Sequence, residues 1–259
     1  ITDLEFKGLM GKAELIVGCS DYVCNGITNR MDGLGLSGSL DVLTIYNGAD
    51  LEKFTVSEDY FYRHSLQNIL FVGRLLPEKG VLELIKAFRK LVSSRLSKAT
   101  LTIIGAGSFT KNNQKSEYDY QLSDAASGIE DRINFTGLID NNKLSGYMKK
   151  ASVFVCPSTW NEPFGIVITE AMAAGLPIIA SNRGGIPEIV DEAGILIDPE
   201  DVDELANALG QLLDDRIAAQ KYAKMGYQRF MKKFNWGVIA SQWQSILNGQ
   251  FKMNLLILK

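Results

Sequence analysis

Glu162 and Glu170 stand eight positions apart, with Pro163-Phe164-Gly165 and the apolar run Ile166-Val167-Ile168 between them. Ala171, Met172, Ala173 and Ala174 continue that run and predict a buried helix that begins just after Gly165. Glu162 then sits on the entering loop. Glu170 sits about two turns in, at ~1.5 Å per residue. A ligand lying along the helix start could touch both acids. The free N–H groups of Phe164, Gly165 and Ile166 would meet any negative charge it carries. Two carboxylates and a positive helix end suit a molecule with hydroxyls at both ends and phosphate between, such as a nucleotide-sugar.

Arg74 and Lys79 form a second constellation. The strand-like run Gln67 to Val72 precedes Gly73-Arg74-Leu75-Leu76-Pro77-Glu78-Lys79-Gly80, and helical periodicity follows from Val81 to Leu91. Both cations therefore occupy a strand-to-helix turn, where α/β proteins handle phosphate. Gly73 lets the backbone approach a ligand, and Pro77 suits a turn or a first helical position. Two such cations can hold a diphosphate. The plainer reading, two surface cations beside Glu78, weakens once the two-acid motif is set next to it.

The elements that must position these groups alternate regularly. Strands are predicted at 14–17, 43–46, 68–72, 100–104, 132–136, 152–156, 177–180 and 194–197. Helices are predicted at 20–31, 79–93, 116–126, 141–150, 165–174, 186–190, 201–213, 216–230 and 235–247. Short buried strands separated by helices define an α/β fold with a Rossmann-like, doubly wound parallel sheet. Ligands of such sheets bind at the carboxyl ends of the strands. Both key turns, after Val72 and after Cys156, leave from that edge. The polar stretch Ser108–Glu117 reads as a mobile loop, and Asn47-Gly48 as a tight turn.

The ordered segments Phe71-Val72-Gly73-Arg74-Leu75…Glu78-Lys79-Gly80, Ile45-Tyr46-Asn47-Gly48-Ala49-Asp50, Ile104-Gly105-Ala106-Gly107, Phe135-Thr136-Gly137, Pro157-Ser158…Asn161-Glu162-Pro163-Phe164-Gly165…Glu170-Ala171-Met172-Ala173-Ala174-Gly175 and Gly184-Gly185-Ile186-Pro187-Glu188 resemble family 4 of the glycosyltransferases. The resemblance runs from about Ala13 to about Leu247. It implies the C-terminal half of a GT-B architecture, in which two Rossmann-like domains face each other across a cleft. Residues 1–40 then read as a remnant of the N-terminal, acceptor-binding domain, 41–66 as a hinge, 67–247 as the donor-binding domain and 248–259 as a tail. The rest of the N-terminal domain, with the acceptor site and the family's active-site histidine, would be a partner supplied from outside this chain. His64, the single histidine, reads as a packing or surface residue.

The resemblance also implies roles. Glu170 would hold the ribose hydroxyls, and Arg74 and Lys79 the diphosphate. Asn161 and Glu162 would contact the sugar, with Glu162 nearest the reacting carbon. Gly137, Leu138 and Ile139 would lie by the base, and Gly73, Phe164, Gly165 and Ile166 would line the donor. The implied reaction retains anomeric configuration and needs neither cofactor nor metal. It carries sugar from a nucleoside-diphosphate donor, UDP first and GDP second, to a glycan or lipid-linked acceptor, as in polysaccharide and bacterial envelope synthesis. The chain alone would bind donor with little transfer. A non-catalytic nucleotide-sugar-binding or partner subunit on the same scaffold is the alternative, and the intact acids and cations argue against it. A 2-epimerase or phosphorylase shares the architecture but not these motifs.

Composition is that of an ordinary globular chain: 259 residues, 46% apolar and 22% charged. Cys19, Cys24 and Cys156 lack metal-ligand spacing, fit free thiols and suit a cytoplasmic protein. Charge is segregated. No acid follows Asp215, so a net −11 precedes a net +8. Ala223, Tyr227, Phe230 and Phe234 recur there at helical spacing, which fits either peripheral contact with the inner membrane surface or a terminal helix packed on its own domain. Nucleic acid is not an expected partner. Asp201-Val202-Asp203 imitates a metal motif, but it follows Pro199 where a helix cap is due. Gly105-Ala106-Gly107 lacks a dinucleotide fingerprint's third glycine and makes room near the donor instead. Asn134-Phe135-Thr136 fits a glycosylation pattern but reads as strand.

Overall fold

The computed structural model describes residues 1–38, 40–54, 56, 60–94, 98–107, 116–248 and 255–257. Two parallel sheets organise them. The first unit opens with α1 (Asp3–Met10), β1 (Leu15–Gly18), α2 (Asp21–Gly33) and β2 (Asp41–Thr44). Thr2 and Ser20 cap the two helices, Ser20 Oγ accepting from Val23 N–H at 3.2 Å. Phe6, Met10 and Met31 of these helices pack on Ile16 of β1.

The second unit follows α3 (Tyr60–Ser65) with β3 (Asn68–Val72), α4 (Val81–Ser94), β4 (Thr100–Ile104), α5 (Glu117–Ala126), β5 (Ile133–Gly137), α6 (Leu144–Lys149), β6 (Val153–Cys156), α7 (Ile166–Ala173), β7 (Ile178–Ser181), α8 (Ile186–Val190) and β8 (Ile195–Ile197). Its six strands run parallel in the order β5-β4-β3-β6-β7-β8. The central strands are buried on both faces, which is why they are written as unbroken apolar runs. β5 is an edge strand, and its Asn134 and Phe135 are exposed. After β3 the chain winds outward through β4 and β5, then returns to place β6 on β3's other side. The switch point of the sheet, where such folds open a crevice, lies between β3 and β6.

Three helices close the chain: α9 (Val202–Asp214), α10 (Arg216–Lys233) and α11 (Trp236–Asn248), followed by β9 (Leu255–Ile257). Leu84, Ile85 and Phe88 of α4 meet Leu205, Leu209 and Leu212 of α9 in one core. Ile168, Ala171 and Met172 of α7 meet Phe230 and Phe234 in the other. Asp201 caps α9 by accepting from Asp203 N–H (3.0 Å) and Glu204 N–H (2.9 Å), and Asp203 pairs with Lys90 at 2.6 Å. The Asp-x-Asp run is thus a helix start. The apolar side of α10 (Ala219, Ala223, Phe230) is buried against the domain, so that face is not available to a membrane. Among the described residues no helix is long and apolar enough to cross one.

Several expected boundaries move. Residues 41–44 are not hinge: Asp41 to Thr44 pair in register with Leu15 to Gly18. Nor is α3, whose Arg63 guanidinium donates to the carbonyls of Ala174 (2.9 Å) and Gly175 at the end of α7. The crossing between units narrows to residues 45–54. α11 belongs with the first unit, since Ile239 packs on Leu15, Val17 and Ile45. Residues 255–257 of the tail lie parallel beside β1. Asn47-Gly48 forms no turn. Gly48 is required there because a Cβ would stand 2.7 Å from the Trp236 ring. Of the expected mobile loop, 108–115 lie outside the described residues, while Ser116 and Glu117 begin α5 with a capping box on Asp119. His64 is buried with Nε2 3.0 Å from the Leu212 carbonyl, a packing residue.

Candidate functional site

Glycine sets how closely the two key loops approach. Pro77–Lys79 form one 3₁₀ turn, and Gly80 closes it in the left-handed region at φ +68°. A Cβ on Gly80 would fall 1.8 Å from the Pro157 carbonyl oxygen of the loop after β6. Thr159 N–H donates to Glu78 O at 3.0 Å and Thr159 Oγ1 to Pro77 O at 3.3 Å, stitching the loops together. On the other flank Gly73 N–H donates to Ile104 O (3.0 Å), Leu75 N–H to Ala106 O (2.9 Å) and Gly105 N–H to Gly137 O (3.0 Å). A Cβ on Gly105 would lie 1.8 Å from the Gly73 carbonyl oxygen. The glycines expected to make room thus let loops from three neighbouring strands touch.

This stitching brings Lys79 to Glu162. Nζ and Oε1 form an ion pair, with side chains only 17% and 12% exposed, and Ser158 Oγ donates to the same oxygen at 3.2 Å. Lys79 Nζ also lies 5.2 Å from the Trp160 ring centroid. Arg74 is exposed on the same cleft and has no ion-pair partner among the described residues. Of the two expected phosphate cations, one is already neutralised and one is free.

Gly165, at φ +86°, turns the chain into α7. The N–H groups of Phe164, Gly165 and Ile166 take no acceptor among the described residues, so the helix presents its positive end to the cleft. Phe164 itself is buried, its ring centroid 6.1 Å from Tyr46 and 6.0 Å from Phe234. Glu170 is half-buried one turn beyond Ile166. Burial raises its carboxyl pKa above the ordinary value, and the charge on Lys53 works in the opposite direction.

The cleft holds about 720 Å³ and is lined by Gly73, Arg74, Lys79, Glu162, Phe164, Gly165 and Ile166 of the expected set. A second hollow of about 260 Å³ shares Val72, Gly73 and Arg74 with it and is lined by Leu138 and Ile139. Asn161 is exposed beside the cleft, and neither Asn161, Glu170 nor Gly137 lines either hollow. Sequence reasoning missed the opposite wall: Val17, Cys19 and Tyr46 from the first unit, and Trp236, Ile239 and Trp243 of α11. Tyr46 lies inside a quoted segment and the others on or beside predicted elements, but only the fold sets these elements opposite Glu162. Ser158, inside a quoted motif, was legible and overlooked. Cys156 also lines the cleft, and burial pushes its thiol up to about 12. Among the described residues no three His, Cys, Asp or Glu side chains gather as metal ligands.

Comparison with known proteins adds an independent line. The family described as "Glycosyl transferases group 1" matches residues 58–229. Glycogen synthase of Mycobacterium tuberculosis is 33% identical over 236 residues, covering 90% of this chain and 53% of that protein. The GDP-mannose-dependent alpha-(1-6)-phosphatidylinositol monomannoside mannosyltransferase of the same organism is 31% identical over 189 residues, covering 70% and 47%. The structure of sucrose-phosphate synthase from Thermosynechococcus elongatus superposes with a TM-score of 0.76 at 28% identity, covering 95% of this chain and 61% of that one. The chain spans about half the length of the curated relatives it matches.

Proposed function

We propose, for a chain that belongs to the group 1 glycosyl transferases, that the cleft is the donor half of a metal-independent, retaining glycosyltransferase site that binds a nucleoside-diphosphate sugar. One observation carries the reading. At the switch point between β3 and β6, a free arginine, a lysine and an uncapped helix start face one cleft that also holds a carboxylate. Positive groups in that arrangement meet a diphosphate, and the carboxylate meets hydroxyls.

The chemistry follows from charge. Breaking the bond between the anomeric carbon and the phosphate oxygen puts negative charge on the leaving diphosphate. Arg74, Lys79 and the N–H groups at the start of α7 stabilise that charge as it grows, without reorganising. Glu162 accepts from sugar hydroxyls and, with Asn161, orients the ring. Glu170 accepts from the ribose hydroxyls. Those donors favour the ionised carboxylate that burial alone disfavours. Leu138 and Ile139 give the base an apolar face. In the whole protein a second domain would bring the acceptor, a glycan or lipid-linked alcohol. Names of relatives that make glycogen and transfer mannose support both hexosyl chemistry and a nucleotide-linked donor.

Calorimetric titration with UDP, GDP and ADP tests this. One nucleotide should bind at micromolar to sub-millimolar Kd, with no dependence on EDTA, and Arg74→Ala and Glu170→Ala should each abolish it. Binding that survives both substitutions refutes the assignment of phosphate to Arg74 and ribose to Glu170.

A further inference from the structure

Cys19 Sγ of the first unit lies 4.0 Å from Pro163 O, on the loop that carries Glu162, and residues 20–22 meet the glycines and helix beside it. Glu188 of α8 lays its carboxylate across the start of α2, accepting from Asp21 N–H through Oε2 and from Tyr22 N–H through Oε1, each at 2.8 Å. The Tyr46 hydroxyl donates to Oε2 at 3.2 Å. Ser20 Oγ would lie 3.1 Å from a Cβ on Gly185, just before α8. A carboxylate at a helix start is favoured by both hydrogen bonding and dipole. Here that carboxylate comes from the other unit.

α8 is held as a rigid piece. Ile186, Ile189 and Val190 are fully buried. From α10, Arg229 donates to the carbonyls of Glu188 and Ile189 and to Asp191, each at 2.7 Å. The two glycines ahead of α8 sit directly against the Glu162 loop. Gly185 N–H donates to Glu162 O at 2.7 Å. A Cβ on Gly184 would fall 2.3 Å from Glu162 O, and one on Gly185 would fall 2.4 Å from Pro163 O. There is no slack between α8 and the backbone of Glu162.

We infer that Glu188 is a positioning residue: through α8 and Gly184-Gly185 it makes the placement of Glu162 depend on how the first unit is set against the second. Glu188 touches no donor. It acts through Glu162, so the inference rests on the proposed role of Glu162 at the sugar. When the first unit shifts, the start of α2 pulls α8, and α8 carries the 161–163 backbone with it. Arg74, two residues beyond β3 and without an ion-pair partner among the described residues, stays in place, whereas Lys79 is paired with Glu162 and follows it. The relative setting of the units would then alter the sugar contacts of Glu162 most, the Lys79 side of the diphosphate less, and leave the Arg74 side unchanged.

Hydrogen exchange on the chain tests the relay without any ligand. In Glu188→Ala the amides of residues 21–24 and, in the other unit, the hydrogen-bonded amides of Glu162, Ile168 and Gly185 should exchange at least about threefold faster, with β3 and β4 unchanged. Arg183→Ala, just ahead of the two glycines, breaks pairs with Asp198 and Glu200 on the loop after β8 and should leave those three amides as in the parent. Faster exchange confined to residues 21–24, or no change in either segment, overturns the inference. Glu188→Gln keeps one acceptor oxygen and should fall between, which serves if the alanine variant does not fold. The second readout uses UDP with UDP-glucose, or GDP with GDP-mannose, whichever pair the parent binds. Glu188→Ala should change the Kd of the diphosphate-sugar more than that of the bare diphosphate, so that the difference between the two shrinks. Equal weakening of both ligands overturns the inference. If the parent binds neither pair, the donor reading fails, and the exchange result alone decides the relay.

Discussion

Replacing Glu162 with glutamine should tighten the binding of a bare nucleoside diphosphate. Lys79 is engaged with Glu162 in the free chain, and the two side chains are 17% and 12% exposed. An arriving diphosphate must draw Lys79 away from that partner or share it. Exposed pairs contribute ~0–1 kcal/mol and hydrogen bonds to charged groups ~1.5–3 kcal/mol. With solvent still reaching both side chains, the lower end of the second range applies, about 1.5 kcal/mol. Glutamine keeps the shape and still accepts from Ser158 Oγ, but it releases Lys79 and removes a negative charge beside the phosphates. Both effects have one sign, so Kd for the diphosphate should fall about tenfold. The gain should shrink as salt rises. Calorimetry at low and high salt reads it, with Lys79→Ala as the opposite arm, expected to weaken binding. An unchanged or weaker affinity in Glu162→Gln would falsify the competition between Glu162 and phosphate for Lys79.

Glu170→Gln should raise the melting temperature at neutral pH. Burial holds the folded carboxyl above its unfolded pKa, so the destabilising effect of its charge is present above the unfolded value of about 4.3 and vanishes below it. A gain equally large at pH 3 contradicts this. Gly80→Ala must leave a left-handed backbone that costs an L-residue ~1–2 kcal/mol and must clear a 1.8 Å contact with Pro157 O. A loss of about 3 kcal/mol in denaturant unfolding is expected, with weakened nucleotide binding, and a near-neutral result refutes the close approach of the loops. Asp201→Ala should lose about 1 kcal/mol as a missing cap and leave nucleotide affinity intact. Lost affinity there would revive a metal role for Asp201.

Local pattern carried most of the second unit. The strands 68–72 and 100–104 have the expected bounds, because fully buried parallel strands leave no freedom in composition. Arg74, Lys79 and Glu162 lie on the turns expected of them and Glu170 on the expected helix, because a strand-to-helix turn at the carboxyl edge is itself a local signal. What local pattern could not give is which partners a charge finds. Lys79 looked like a free phosphate ligand, and only the contact of Gly80 with Pro157 reveals that it meets Glu162. The turn expected at Asn47-Gly48 failed for the same kind of reason: glycine serves there to admit Trp236, nearly two hundred residues away. The far wall of the cleft was not legible because its pieces, the end of β1 and the start of α11, lie near opposite ends of the chain and meet only in the fold.

The chain passes between its two units twice, outward through residues 45–54 and back through the residues leading into α11. The two passages are fastened side by side: Ala49 bridges Asn235, and Ala49 N–H donates to Phe234 O at 2.9 Å. Bodies joined by one cord can swivel in every direction. Bodies joined by two cords pinned at one spot keep chiefly a rotation about the line through the pin. Displacement under such a rotation grows with distance from the line. Tyr46 and Phe164, whose ring centroids lie 5.3 and 6.0 Å from that of Phe234, sit close to the pin and travel little. A rotation of that kind would widen the cleft least where Tyr46 and Phe164 stand beside Phe234 and more with distance from them.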